Sequence, residues 1–445
     1  MIQINPSFSL RLKRFLPCLF ILILACVEPF DFQSIGFDRK LVVDASLTNE
    51  AREHFVNLSY TFPLDTNLNL AGSDAEVAFI EASGNRVVLR ETTPGHYVTN
   101  PNYAGIPGQT YRLSIVLPDG QEFLSDPELL RDPVPIDSVY AEYTSIPVQD
   151  LNGNDFTGVQ IFVDAQSDAE EPHSFRYDYV ESYEVPVPYP SEFDWMGGGD
   201  NFQLIERPQP LGTCYRVGYP TSPLLATTRG LIENRIFQFR VRFISEFARE
   251  LAYQYIIAVR QLTISNNAHT YFKQLRESNE SQGSLSDEQL GTMPSNIKNV
   301  DNPLDLVLGY FEVAGVTEVK KRLSYHEFLD EGIQTEEWIC EPHPLLPDPG
   351  GLDFNDINCY SRGETTFNVL IIEEDFIISR DGDTTFFTTR TYDWSALEFA
   401  MNSRCSPNLR ITSMSPAEDQ VSVAHFLCSD CTTYGTVERP AVWDD

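Results

Sequence analysis

The residues best suited to chemistry in this sequence are its eight cysteines, and the one at position 26 has the most informative surroundings. An apolar run over residues 15–25 precedes Cys26, and a short polar lead with three basic residues precedes that run. A basic lead followed by an apolar run is the arrangement of a secretory signal. The run is shorter than the roughly 20 residues that span a bilayer. Residues 1–25 are therefore predicted to be a signal peptide that is removed.

The segment Leu22-Ile23-Leu24-Ala25-Cys26 has the pattern of a lipobox, in which Leu and small or aliphatic residues precede a cysteine. This chemistry requires a thiol, because a diacylglycerol is attached to the sulfur as a thioether before cleavage. Acylation of the new N-terminus adds another chain, and more than one chain gives stable membrane anchoring. The pattern predicts an exported bacterial lipoprotein that is lipidated at Cys26. The alternative is an ordinary signal peptide with an unmodified Cys26.

Six cysteines remain once Cys18 leaves with the signal and Cys26 takes lipid. An even number in an exported protein indicates disulfides, although the pairing cannot be read from the sequence. Cys428 and Cys431 also have the spacing of half a zinc site, but no second pair completes it, so we predict no metal. Each of these two is expected to pair with a distant partner. The disulfide candidates are Cys214, Cys340, Cys359, Cys405, Cys428 and Cys431.

Sequence signatures of catalysis are missing. There is no Gly-x-Ser-x-Gly elbow and no Gly-x-x-x-x-Gly-Lys phosphate loop. His326-Glu327 begins like a zinc-binding helix, but Asp330 stands where the second histidine is required. We predict that the protein is not an enzyme and needs no cofactor. A catalytic triad assembled only in space is the alternative that sequence leaves open.

The charge of the chain excludes one class of partner. The net charge is −34, and removal of residues 1–25 with their three positive charges makes it −37. Such a charge repels phosphate backbones, so no nucleic acid is expected as a partner. A cationic ligand or calcium is compatible with it but not required. Residues 150–154 open like a calcium loop, yet Asp155 and Ile161 replace the glycine and glutamate that such a loop needs.

The elements that carry these residues follow a strand pattern. Between residues 40 and 132, apolar residues alternate with polar ones and turn residues recur every few positions, most clearly over residues 111–117. Apolar residues make up 42% of the chain and aromatic residues 12%, a composition that favours strands. We predict a mainly β protein, with a tether over residues 26–37 and an immunoglobulin-like β-sandwich over residues 38–133.

Pro133-Val134-Pro135 marks a boundary, after which residues 134–445 are predicted to form a larger β-rich domain with a Cys-rich C-terminal part. Its clearest strand spans residues 237–243, where Phe237, Phe239, Val241 and Phe243 are expected to share one face. A helix is predicted near residues 267–277, capped by Asn266 or Asn267. A polar loop should follow over residues 278–302, and a second short helix is predicted over residues 394–402.

Three motifs within residues 261–311 occur in a recognisable order. They are the aromatic pair Tyr271-Phe272, the pair Asn296-Ile297, and a closing Val-Leu-Gly-Tyr-Phe over residues 307–311. The junction at residues 133–139 and an ending with Cys428-x-x-Cys431, Gly435 and Pro440-x-x-Trp443 accompany them. Together these features resemble a family of Bacteroidota lipoproteins that carries a domain of unknown function, DUF4249.

The resemblance implies a location and a role, but no catalytic residues. Such proteins resemble outer-membrane lipoproteins whose genes often lie beside TonB-dependent receptors. The implied role is a non-catalytic accessory or ligand-capturing partner of a TonB-dependent transporter, lipid-anchored on the cell surface or periplasmic face. The alternative is a structural or adhesive cell-surface protein without a small-molecule ligand.

Overall fold

The computed structural model of the chain describes a mainly β protein, as the sequence predicts. The described residues are 39–62, 71–149, 155–196, 203–246, 248–280, 293, 295–324, 326–328, 365–368, 370–380, 383–393, 409–415, 420–425 and 429–444. The predictions for residues 1–37, 150–154 and 394–402, and for the cysteines at 26, 340, 359, 405 and 428, lie outside them.

The first nine strands cover the region predicted as a β-sandwich, and turn residues separate them. They are β1 (Leu41–Thr48), β2 (Phe55–Tyr60), β3 (Glu76–Glu81), β4 (Arg86–Val88), β5 (Arg90–Thr93), β6 (His96–Val98), β7 (Thr110–Val116), β8 (Glu122–Ser125) and β9 (Glu128–Leu129).

The remaining strands include the longest strands among the described residues. They are β10 (Ser138–Gln149), β11 (Asp155–Gln166), β12 (Ser174–Pro186), β13 (Phe193–Met196), β14 (Gln203–Glu206), β15 (Thr213–Gly218), β16 (Leu224–Thr227), β17 (Arg235–Ser245), β18 (Gln254–Ile264), β19 (Ile297–Asn299), β20 (Leu308–Ser324), β21 (Thr365–Asn368), β22 (Leu370–Arg380), β23 (Asp383–Asp393), β24 (Leu409–Ser415) and β25 (Gln420–His425). The helix α1 spans Asn266–Glu280, and short 3-10 turns span Arg249–Leu251, Cys431–Thr433 and Ala441–Trp443.

A nine-stranded sheet is the largest sheet among the described residues. Its order is β15-β12-β18-β20-β1-β2-β6-β5, and β16 also pairs with β12. β20 pairs in parallel with β1 and antiparallel with β18, so it joins the N-terminal strands to those after residue 134. The short β19 adds to β8 of the opposing sheet in the same way. Residues 297–324 therefore complete both sheets of the region predicted as a separate sandwich.

Two smaller sheets cover one face of this large sheet. The six-stranded sheet β19-β8-β7-β3-β4, with β9 beside β7, packs against β1, β2 and β20. Phe79 stacks on Phe311 at 5.3 Å in the middle of this core. The three-stranded sheet β10-β11-β17 packs against β12 and β18, and Tyr177 stacks on Phe239 at 4.5 Å there. The burial of these rings removes large apolar areas from water and stabilises both cores.

The other face of the large sheet is covered only in part. α1 packs on it through Ala268 and Tyr271, which lie against Tyr310 and Leu262. The C-terminal residues pack on it through Trp443, whose indole N–H donates to the Ser182 hydroxyl at 2.9 Å. The area near α1 holds the cleft described below.

A close contact between β1 and β20 requires a glycine. Gly309 has a φ of +100°, which side chains with a Cβ rarely adopt. A Cβ at this position would lie 1.8 Å from the carbonyl oxygen of Val43. The glycine of the Val-Leu-Gly-Tyr-Phe motif is therefore explained by the approach of the two strands.

The helix prediction is confirmed, with a different cap and a later end. The hydroxyl oxygen of Ser265, and not Asn266 or Asn267, accepts the N–H of Ala268 at 3.1 Å. The helix continues to Glu280, and ion pairs four residues apart, such as Arg276–Glu280 at 3.9 Å, support its last turns. The region predicted as a polar loop over residues 278–302 thus contains the helix end, and it also contains β19.

The predicted shared face of residues 237–243 is wrong at both ends. The side chain of Phe237 is 61% exposed and Ile236 is buried instead, and Ile244, not Phe243, joins the core opposite Val159. The ladder between β11 and β17 shifts register twice, and Gln238 takes a φ of +50° while its N–H donates to Asp164 at 2.7 Å. A bulge places an extra residue in one strand and reverses the alternation beyond it.

Candidate functional site

The most structured concavity lies on the partly covered face of the large sheet, beside α1. It has a volume of about 410 Å³, within the range of small-molecule sites. β1, β12, β18 and β20 form its floor, α1 and Phe55 of β2 flank it, and Arg52 comes from the turn after β1. Side chains on these strands point into it because alternate residues of a strand share one face.

A buried ion pair holds two of these strands together. Nε and Nη2 of Arg176 donate to the two carboxylate oxygens of Glu312 at 2.8 and 2.7 Å. Burial alone would lower the pKa of Arg176, but the charge of Glu312 outweighs it and raises that pKa well above its usual range. The guanidinium also lies over the Phe272 ring, 5.1 Å from its centroid. Arg176 is therefore held by β20 and α1 at once.

Arg52 and Arg260 place two guanidiniums at one end of the cleft. Arg260 donates to Oε2 of Glu50, and its Nε lies 3.7 Å from Glu318. Arg52 lies 3.9 Å from the same Glu50 oxygen, and its Nε has no hydrogen-bond partner among the described residues. Burial and then the positive charge of Arg260 lower the pKa of Arg52 from its ordinary value, against the opposing charges of Glu50, Asp178 and Glu318.

Asp44 forms the opposite end. It lies on β1, is exposed to the cleft, and accepts a long hydrogen bond of 3.3 Å from the Asn57 amide. The carboxylate is open to the cleft, but the surrounding protein atoms displace much of its water. This desolvation, together with the charge of Glu312, raises the pKa of Asp44. The hydrogen bond from Asn57 and the charge of Arg176 lower the pKa of Asp44, but burial outweighs them.

Aromatic rings line the wall between the two ends. Tyr271 and Phe272 stand on α1, and Tyr271 stacks on Tyr310 of β20 at 5.0 Å. The Tyr310 hydroxyl donates to the buried Glu128 at 2.6 Å. Burial and this carboxylate raise the pKa of Tyr310, so it stays neutral. The amide of Asn296 donates to the same Glu128 oxygen at 3.2 Å. The three motifs singled out in the sequence therefore meet beside the cleft.

A second concavity of about 550 Å³ lies near β15, and its buried carboxylate, Glu181, is already engaged. Buried Glu181 accepts from Arg242 at 2.8 Å and from the Tyr255 hydroxyl at 2.6 Å. Burial and the neighbouring Glu181 charge raise the pKa of Tyr255. This arrangement stabilises the packing of β12, β17 and β18.

Two of the predicted cysteines are brought together. Cys214 of β15 and Cys431 form a disulfide with Cα atoms 5.3 Å apart, and both are fully buried. The expectation that Cys431 pairs with a distant partner is confirmed, and its thiolate is not available to zinc. Thr436 exchanges backbone hydrogen bonds with Tyr215 beside the disulfide, so residues 429–444 are fastened to β15.

The described residues contain no group of three or more His, Cys, Asp or Glu side chains arranged to hold a metal ion. No helix in that part of the chain is long and apolar enough to cross a bilayer.

The sequence matches a known family over most of its length. The profile of DUF4249, described as a domain of unknown function, matches residues 27–320. The chain belongs to the DUF4249 family. No curated protein sequence matches it. The DUF4249 match spans every residue that lines the cleft, and it ends within β20.

Sequence reasoning missed the cleft. Asp44, Arg52, Arg176, Arg260 and Glu312 come from four distant segments, so no local spacing marks them. The signal that pointed towards this place was the aromatic pair Tyr271-Phe272, which the family resemblance singled out.

Proposed function

We propose that this DUF4249 protein is a non-catalytic, lipid-anchored outer-membrane protein that captures a small ligand and passes it to a TonB-dependent transporter. The observation that carries the proposal is the cleft of about 410 Å³ beside α1, with charged groups at both ends and aromatic rings between them. Sites for small molecules combine apolar walls with a few well-placed polar groups in this way.

The composition of the cleft supports binding over catalysis. The described residues that line it include no histidine, cysteine or lysine, and among its carboxylates Glu312 is already paired with Arg176. The nearest histidine along the chain, His54, is buried, and its ring nitrogens contact backbone atoms of Thr48, Glu50 and Tyr103. Burial lowers the pKa of His54, which favours the neutral ring.

The membrane and transporter parts of the proposal rest on sequence. The lipobox ending at Cys26 supports lipid attachment, and the basic lead and apolar run before it support export. The family resemblance supports the outer membrane and a TonB-dependent partner.

A structural or adhesive role is the second candidate, and a surface feature favours it. Phe237 and Leu231 are 61% and 56% exposed and line a shallow groove on β17, with Arg235 and Arg240 beside them. Exposed apolar groups that lie together often mark contacts with other proteins. This role needs no ligand in the cleft.

Lipidation and partnership can be tested in the native host with the full chain. Cells that make the wild type, Cys26→Ala or Cys18→Ala would be fed an alkyne fatty acid and then fractionated. We expect label and outer-membrane location for the wild type and for Cys18→Ala, which loses its altered residue with the signal. Cys26→Ala should carry no label. Label on Cys26→Ala, or an unlabelled wild type, would refute the anchor.

Purification of the wild type in mild detergent, followed by mass spectrometry, tests the transporter. A TonB-dependent barrel in near-equal amount is the expected companion. Recovery of the protein with other surface proteins and without a barrel would support the adhesive role instead.

A further inference from the structure

We propose that the cleft binds short peptides as zwitterions, with the peptide amino group at Asp44 and its terminal carboxylate at Arg52. This inference rests on the proposed capture function and names the chemical class of the ligand. It follows from the charges at the two ends of the cleft, the distance between those ends and the apolar wall between them.

The Asp44 end lacks a cation of its own. The Arg176 guanidinium, whose charge acts on Asp44, donates to both oxygens of Glu312 and lies 3.8 Å from Asp178. In the described structure, the contact to the Asp44 carboxylate is the 3.3 Å hydrogen bond from Asn57. The raised pKa of Asp44 agrees with an undercompensated negative charge. A protonated amine placed here would gain a carboxylate partner and displace no existing ion pair.

At the Arg52 end, two guanidiniums share the nearby carboxylates. Arg52 shares Glu50 with Arg260, and Arg260 takes the closer position. Asp178 and Glu318 favour a charged Arg52, but burial and the Arg260 charge outweigh them. The Arg52 side chain is 41% exposed and lines the cleft. A guanidinium of this kind can receive a carboxylate through two parallel hydrogen bonds.

The spacing of the two ends favours a peptide over a free amino acid. Asp44 and Thr48 lie on one face of β1, and four residues of strand span roughly 13 Å. Arg52 follows in the turn beyond Thr48 and extends back into the cleft. A separation on the order of 10 Å exceeds the reach of one amino acid, because an extended chain covers about 3.3–3.6 Å per residue. A chain of about three residues fits.

The middle of the cleft can receive side chains. Phe55 of β2 and Phe272 and Leu275 of α1 present apolar surface between the charged ends. Such a wall favours an apolar or aromatic central residue in the peptide and makes no contact specific to one sequence. The cleft therefore suits a mixture of short peptides, which agrees with a role in nutrient capture.

Calorimetry with defined tripeptides tests the inference. The probes are Ala-Phe-Ala, its N-acetylated form, its C-amidated form and free phenylalanine. The proteins are the wild type, Asp44→Asn and Arg52→Gln, with Asp168→Asn and Arg90→Gln as controls. Asp168 is exposed, and Arg90 lies 3.9 Å from Glu53 much as Arg52 lies 3.9 Å from Glu50.

The expected result is a crossed pattern. Acetylation should weaken binding to the wild type about tenfold or more, which corresponds to about 1.4 kcal/mol, and have little effect in Asp44→Asn. Amidation of the peptide carboxylate should weaken binding to the wild type by a similar factor and have little effect on binding to Arg52→Gln. The two controls should behave as the wild type, and free phenylalanine should bind weakly.

Three results would overturn the inference. They are no binding of the tripeptide to the wild type at millimolar concentration, equal binding of the blocked and free peptides, or equal blocking effects in all variants. Each of these leaves the transporter proposal standing if the barrel co-purifies from native membranes. If no barrel co-purifies but calorimetry gives the crossed pattern, the peptide site stands and the transporter proposal fails.

Discussion

The side-chain amide of Asn296 pairs with the backbone of Phe311 in both directions. Its Oδ1 accepts the Phe311 N–H at 2.9 Å, and its Nδ2 donates to the Phe311 carbonyl at 2.9 Å. The same Nδ2 also donates to Glu128, which accepts the Tyr310 hydroxyl. One buried amide thus replaces a missing strand partner for β20 and links it to the wall of the cleft.

Replacement of Asn296 by Ala should destabilise the protein. The substitution leaves the N–H and carbonyl of Phe311 buried without partners, and a buried unsatisfied group costs about 1–3 kcal/mol. The expected loss in the free energy of unfolding is about 3 kcal/mol, measured by urea denaturation. Asn102→Ala, in an exposed turn, is the control and should change stability by less than about 0.5 kcal/mol. Equal stability of the two variants would show that the Asn296 pairing is dispensable.

The fold was predictable where the signal is local. The helix α1 was found because its cap region and apolar stripe lie within one short segment. The bulge at Gln238 was not, because it depends on the register with β11, which lies more than 70 residues earlier. β19 was missed because three residues in a polar segment form a strand only through β8.

The site was less predictable than the fold. An even number of cysteines indicated disulfides but not which pair forms, since Cys214 and Cys431 are 217 residues apart. The charged ends of the cleft depend on strand order, because β20 lies between β1 and β18. Without that order, Asp44 and Arg260 are ordinary charged residues in alternating strands.

The ion pair between Arg176 and Glu312 should show strong energetic coupling. Arg176→Met or Glu312→Met leaves a buried charge without its partner, and such a loss costs about 3–5 kcal/mol. The double substitution Arg176→Met, Glu312→Met should cost less than the sum of the single ones, because no charge is stranded. Urea unfolding of the four proteins measures this coupling. The exposed pair Arg86–Glu76 is the control and should show about 0–1 kcal/mol. Additive losses at Arg176 and Glu312 would contradict the prediction.

The disulfide should stabilise the attachment of the C-terminal residues. Cys214→Ser and Cys431→Ser should each lower the free energy of unfolding by about 2–4 kcal/mol, and the double variant should lose little more. Thermal unfolding measures the loss, and peptide mapping without reductant should recover a peptide containing residue 214 linked to one containing residue 431. Recovery of Cys431 linked to any other cysteine, or strictly additive losses in the double variant, would contradict the pairing.

The raised pKa of Asp44 predicts a pH dependence of stability with a definite sign. Its folded pKa exceeds the ordinary value of 3.8, so the folded protein binds a proton more readily than the unfolded chain does. The contribution of Asp44 to stability is therefore greatest below about pH 4 and falls as pH rises through the folded pKa. The substitution Asp44→Asn removes the titrating carboxyl and with it this fall in stability at higher pH.

Asp44→Asn should therefore unfold at a higher temperature than the wild type at pH 7, by on the order of 1–3 °C. The difference should shrink towards zero as pH falls below about 4, because the wild-type carboxyl is then protonated in both states. Differential scanning calorimetry from pH 3 to 8 measures it, and Asp168→Asn serves as a control without this trend. A variant less stable than the wild type at pH 7 would mean that Arg176 or Asn57 already compensates the charge of Asp44. In that case Asp44 would not be an uncompensated charge, and it would no longer be explained as the cation-binding end of the cleft.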